Sequence, residues 1–154
     1  MDMPSATQAS IIEAVLGDSD LQYRVLVEES SDILAIHEPN GALRWISPAV
    51  ERVFGWTPEQ RIGFQLDLIH SDDKHLMEDS RQRLAAGASS ATARMRMLGA
   101  DGNFRWVDST ARAVRDDNQE IVALVTVTRD VHDQVVAEDA LAEAEARYRL
   151  IAEN

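Results

Sequence analysis

The side chains able to hold a metal, ligate haem iron or move a proton near neutral pH are four histidines, His37, His70, His75 and His132. No two of them stand four residues apart with further ligands beside them, the spacing by which one helix face grips a metal, so no metal site is expected. His37 follows an apolar run, His70 precedes Ser71-Asp72-Asp73, His75 falls in a helical stretch and His132 follows the last apolar run. A polar or capping role accounts for each. The chain carries 27 acidic residues and no cysteine, which excludes thiolate catalysis, disulfides and cysteine-bound zinc. It has no G-x-S-x-G and no glycine-rich phosphate loop. Asp72-Asp73 reads as acids at the positive end of a helix. No enzyme chemistry is expected, and the remaining chemistry is non-covalent binding to an apolar surface.

Such a surface is offered by three consecutive strand-like runs in residues 91–131. In ATARMRML, Ala93, Met95 and Met97 alternate with Thr92, Arg94 and Arg96, the period of a half-buried strand. In FRWVDSTARAV, Val107, Ser109, Ala111 and Ala113 alternate with Trp106, Asp108, Thr110 and Arg112. IVALVTVTRDV is apolar on both faces over residues 121–127, which predicts a central strand covered on each side. Asp101-Gly102 marks a tight turn between the first two runs. With Phe54, Phe64 and Leu68 from a helical block above, the face of Met95, Met97, Val107, Ser109, Ala111 and Ala113 encloses either a small apolar pocket or a filled core. The opposite face carries Trp106, Phe104 and Thr110; its expected cover is an N-terminal helix around Tyr23 and Leu26, or a second subunit.

Upstream, residues 33–37 and 43–46 read as a hairpin closed by Pro39-Asn40-Gly41. Ser47-Pro48 reads as cap and first residue of a short helix that Gly55 closes. Thr57 and Gln60 have capping-box spacing. A longer helix spans about residues 71–86, and short helices precede the hairpin, one around Ile12, Val15 and Leu16 and one around Tyr23, Leu26 and Val27. Strands split by a helical block predict an α+β domain: one five-stranded antiparallel sheet with short helices on one face and flanking helices at both ends. Residues 1–20 are an extension, 21–132 the domain and 133–154 a helical linker.

In the linker, Ala137, Leu141, Ala144, Tyr148 and Ile151 step by four, three, four and three, a heptad seam. It serves either a parallel homodimer or packing back on its own domain. Tyr23-Arg24-Val25-Leu26 is echoed by Tyr148-Arg149-Leu150-Ile151, as chance or as the start of a second copy of the domain. The net charge of −12 repels phosphate, so nucleic acid and anionic membranes are poor partners. No apolar run is long enough to span a bilayer, and residues 1–10 lack signal-peptide character, so a cytoplasmic location is expected.

Laid out in order, ILAIHEPNGALRWISPAVERVFGWTPEQRIG, LIHSDD and DGNFRWVDSTARAVRDDNQEIVALVTVTRDV resemble the PAS domain family with its C-terminal PAC portion, over residues 21–141. The resemblance implies a sensory module of signal transduction, commonly dimeric, with an output domain such as a histidine kinase or diguanylate cyclase in the same polypeptide. It implies that Asp130 and His132, at the end of the last strand, relay the state of the domain to the linker. His132 departs from the usual threonine of that motif, and Ser47 from a frequent asparagine. Haem-binding members ligate iron from the long helix, where His75 lies; haem and flavin stay open as cofactors, except that cysteine-dependent flavin photochemistry is excluded. Two functions follow: sensing of a small ligand or redox state, or a ligand-free scaffold that dimerises output domains in register.

Overall fold

The computed structural model describes residues 31–63 and 67–153. The expected N-terminal helices, with Tyr23 and Leu26, and the lid residue Phe64 lie outside them. Strands β1 (Ile33–His37), β2 (Leu43–Ile46), β3 (Ser90–Leu98), β4 (Phe104–Arg115) and β5 (Ile121–Asp130) form one antiparallel sheet in the order β2-β1-β5-β4-β3. The fold is α+β, as the strand grouping predicts. β5 takes the centre, hydrogen-bonded to β1 on one side and β4 on the other. Glycines stand where the hairpin turns need positive φ, at Gly41 (94°) and Gly102 (87°). The β4–β5 turn instead uses Gln119 at φ 65°. There Asp116 Oδ1 accepts from the N–H groups of Asn118 and Glu120 at 2.8 and 3.0 Å.

The inner face of the sheet is set by register: Ala91 opposes Ala111, Ala93 opposes Ser109 and Met95 opposes Val107. Four helical pieces lie between the hairpin and β3: α1 (Ala49–Phe54), α2 (Pro58–Gly63), a 3-10 turn (Ser71–Asp73) and α3 (Lys74–Ala85). α1 packs on β1, α2 on β2, and α3 on β3 and β4. The core joins Ile33, Ala35, Ile46, Ala49, Val50, Phe54, Met95 and Val107. Ile36, Ala123 and Val125 form a second cluster, with Trp45, Leu34 and Val114 against it. Val127, which opposes Leu34 and Thr110, stays 41% exposed. The expectation that β5 is covered on both faces over 121–127 therefore fails at Val127 and at Val122, which is 47% exposed; around Val127 the outer face turns polar, with Thr92 bonded to Thr110 and Arg94 bonded to Asp108.

The α2 start follows its sequence signature: Thr57 N donates to Gln60 Oε1 at 2.8 Å and Gln60 N to Thr57 Oγ1 at 3.1 Å. Ser47 does not cap α1. Its hydroxyl, fully buried, accepts from the Leu34 N–H at 3.0 Å, while its own N–H donates to Leu34 O at 2.8 Å. The side chain thus extends the β1–β2 ladder where the backbone of β2 peels away. Ser47→Ala leaves a buried β1 donor unsatisfied, and chemical denaturation should show a loss of about 1–2 kcal/mol.

Candidate functional site

Of the residues expected to wall a pocket, Phe54, Met95 and Val107 are buried against one another within the main core, with Met97 packed on its side. They fill space instead of lining it, because α1 drops Phe54, Ala49 and Val50 directly onto that end of the sheet. Leu68 is buried too, on the segment flanking the edge strand β3, where Leu98 N donates to its carbonyl at 2.8 Å. Ser109 and Ala111 continue the same face away from this core and are only half-buried, as are Ala93, Ala113 and Thr126. α2 packs on β2 and α3 on β3 and β4, and Leu84 of α3, with Ala91 and Leu124, forms a third core cluster against which Ala111 and Ala113 pack.

This stretch is more polar than the sequence reading expected. Ser109 Oγ lies 3.1 Å from Thr128 Oγ1, and His37 Nε2 lies 3.3 Å from Thr126 Oγ1. His37 Nδ1 is 3.2 Å from the Gly41 carbonyl. A carbonyl can only accept, so Nδ1 carries the proton and Nε2 accepts from the Thr126 hydroxyl. Burial pushes the His37 imidazole below its ordinary pKa; the Gly41 carbonyl pulls it back up, and the nearby Arg61 cation adds to the lowering. Arg61, on α2, is itself lowered by burial. Thr126 sits in the run read as apolar on both faces and Thr128 just beyond it; their period of two with Leu124 is the signal that places both hydroxyls inward.

Asp73 is the other residue the sequence reading underrated. It is 7% exposed and its carboxylate does not cap α3. His70 Nδ1 accepts from Asp72 N at 3.1 Å and so starts the 3-10 turn. Asp73 turns instead to β3. Its Oδ2 accepts from the backbone N–H and the Nε of Arg96, each at 2.8 Å, and its Oδ1 from Arg96 Nη2 at 2.9 Å. The guanidinium hydrogen bonds hold the Asp73 carboxyl at a pKa of about 2, against the burial that opposes ionisation. Arg96 in turn lies over the Trp106 ring, 4.9 Å from its centroid. The cover of Trp106 among the described residues is therefore a guanidinium, since Arg96 opposes Trp106 across β3 and β4. Phe104 lies tilted against the His70 ring, centroids 4.8 Å apart and planes at 57°.

Trp106 also meets the chain's exit. Its N–H donates to His132 Nδ1 at 3.2 Å and its carbonyl accepts from Val131 N at 3.0 Å. Asp130 accepts from Arg105 Nε and from His132 N, each at 3.0 Å. Both residues expected to relay thus bond to β4 at the foot of α4 (His132–Ala152). Val135 is buried there, whereas Leu141, Tyr148 and Ile151 are 61%, 73% and 76% exposed. The seam residues, Ala144 with them, do not fold back onto the domain. His75 is exposed on α3 and turned away from the sheet, so it is not placed among the inner-face residues. Among the described residues no group of three or more His, Asp or Glu is placed to hold a metal ion, and no helix is long and apolar enough to cross a membrane.

A family model described as PAS fold matches residues 43–128. The uncharacterized protein y4lL of Sinorhizobium fredii is 26% identical over 149 residues, 96% of this chain but 18% of that protein, so the chain spans less than a fifth of this curated relative's length. A sensory box histidine kinase/response regulator from Burkholderia thailandensis superposes with a TM-score of 0.68 at 22% identity, covering 83% of this chain and 98% of the other. The N-terminal domain of a diguanylate cyclase with PAS/PAC sensor from Marinobacter aquaeolei gives 0.59 at 22% identity, covering 67% and 97%.

Proposed function

This chain belongs to the PAS family, and from that premise we propose that it is the sensory module of a longer signalling protein, non-catalytic itself, with residues 21–132 as the sensor and 133–154 as the linker to an output domain of the histidine kinase or diguanylate cyclase type. The signal is a small ligand or redox change beneath α2 and α3, in a cytoplasmic setting. The observation that carries the reading is that the helical cover and the exit helix converge on one residue of β4. Asp73 ties the start of α3 to Arg96, Arg96 lies on Trp106, and the Trp106 backbone holds His132 and Val131. A shift of α3 against the sheet therefore moves a group in direct contact with the root of α4, the kind of two-sided connection a population shift requires.

Arg96→Lys tests this. Lysine keeps the charge but loses the planar fork that grips Asp73 and lies flat on the indole. Arg96 has no bond to α4, yet exchange of the amide hydrogens at the first turns of α4 should quicken by roughly tenfold while β1 and β5 keep their protection. Unaltered exchange in α4 would sink the relay.

The exposed seam on α4 favours a second reading, the ligand-free scaffold that dimerises output domains in register. Native mass spectrometry of the purified chain separates the two: a co-purifying small molecule supports sensing, and its absence together with a solid inner face supports the scaffold.

A further inference from the structure

The exit of the domain hangs on a proton-sensitive atom. His132, half-buried at the start of α4, receives the Trp106 N–H on its Nδ1 at 3.2 Å. A backbone N–H can only donate, so this Nδ1 keeps a bare lone pair and the ring is the neutral tautomer with its proton on Nε2. A second proton would set two N–H groups head to head and remove the bond. It would also place a positive charge at the positive end of a 21-residue helix. The Trp106 carbonyl accepts from Val131 N at 3.0 Å, so both backbone groups of Trp106 hold the root of α4. The other ties there are Asp130 to Arg105 and to the His132 N–H, Asp133 to Arg105 at 3.7 Å, and the buried Val135. The charged groups around the ring are thus Arg105 of β4, Asp130 of β5 and Asp133 of α4, with Arg96 of β3 over the Trp106 indole. The two carboxylates can accept from an imidazolium, which the Trp106 N–H cannot.

We propose that His132 is a pH-sensitive latch: neutral, it fastens α4 to Trp106, and protonated, it releases the first turn of α4 from β4. The inference rests on the sensory reading, in particular on Trp106 as the point where the helical cover meets the exit helix, and it adds the proton as a second input there. A proton needs no cavity, and the inner face of the sheet is packed by two core clusters. Imidazole is the side chain that gains its charge between about pH 8 and about pH 5, so the latch is closed at the upper end of that range and opens on acidification. His70 Nδ1 also accepts a backbone N–H, from Asp72 at 3.1 Å. Among the described residues it serves the 3-10 turn, while its own N–H bonds to Arg96 O of β3, so its protonation leaves the Trp106–His132 bond in place.

The test is a titration of the full chain from about pH 8 to about pH 5, followed by the NMR signals of the His132 ring and the Trp106 amide. Hydrogen exchange at the first turn of α4 is read alongside, relative to an unstructured peptide at the same pH. In the wild type, ring and amide should move with one midpoint, and protection of the Trp106 amide and the first turn of α4 should fall by roughly tenfold. His132→Asn keeps a side-chain oxygen that can accept from Trp106 and cannot take the proton, so its protection should stay level. His70→Asn should respond to acid as the wild type does. The inference is overturned by an acid response in His132→Asn equal to that of the wild type, by its loss in His70→Asn, by a Trp106 amide that stays fixed while the His132 ring takes its proton, or by a ring that takes none above about pH 5. Should His132→Asn fail to fold, the two wild-type midpoints still decide. The sensory reading fails separately, through the α4 exchange result for Arg96→Lys at neutral pH; a relay that holds there with an α4 indifferent to acid removes the latch alone.

Discussion

Asp73→Ala should lower stability by about 2–3 kcal/mol at neutral pH, a fall of roughly 10 °C in the thermal midpoint for a domain of this size. The carboxylate accepts three hydrogen bonds from Arg96, one of them from the backbone N–H of edge strand β3. Alanine leaves that N–H and a partly buried guanidinium without their acceptor. It also frees the end of the segment that covers β3, where His70 N donates to Arg96 O at 2.9 Å. The effect should depend on pH in a stated direction. The folded pKa of Asp73 is about 2, below its ordinary 3.8, so the folded state favours the ionised carboxylate. The stabilisation is therefore complete above the unfolded value and disappears as pH falls through the folded one, over a window from about pH 4 to about pH 2. Denaturation of wild type and variant should show their stabilities converging across that window, with on the order of 2 kcal/mol removed. A gap that stays constant on acidification would mean that the loss in Asp73→Ala comes from packing and not from the ion pair.

Leu141→Glu combined with Ile151→Glu should convert a dimer into a monomer in analytical ultracentrifugation or light scattering. α4 has 21 residues, His132–Ala152, and only Val135 is buried in the domain. Beyond it Leu141, Tyr148 and Ile151 are exposed on one heptad stripe. A helix with so much exposed apolar surface gains most by pairing with its own copy, seam to seam. Burying a Leu or Ile stabilises by about 1.5 kcal/mol or more, so four such side chains in a dimer supply about 6 kcal/mol, roughly 10,000-fold in the dimer constant. Glutamates at the same places add repulsion across the seam. A wild-type chain already monomeric at high concentration, or a variant with unchanged mass, would leave α4 without a role in pairing. The domain itself should melt unchanged, because neither residue touches the sheet.

Within the domain, strand identities and the hairpin turns at 39–41 and 101–102 were legible in the amino-acid order, because each depends on residues a few positions apart. The alternation in 91–98 and 104–114, the glycines at 41 and 102 and the Thr57–Gln60 box all appear where the local pattern puts them. The face carrying Met95 and Val107 was also right, since register preserves alternation. What that face does was decided elsewhere. Phe54 reaches it from α1, so the Met95 end is solid core, and at the other end Leu84 of α3 packs onto Ala111 and Ala113. Asp73 looked like a helix-start acid because nothing near it in sequence competes; its partner Arg96 stands 23 positions away and meets it only once 68–70 pairs along β3. Ser47 looked like a cap for the same reason and was taken by Leu34. Local order determines which backbone shapes are cheap, since propensity and turn chemistry act over one or two turns of chain. The sheet order determines which buried donor meets which acceptor, because a desolvated polar group bonds to whatever the packing brings within 3 Å, whatever its distance in sequence.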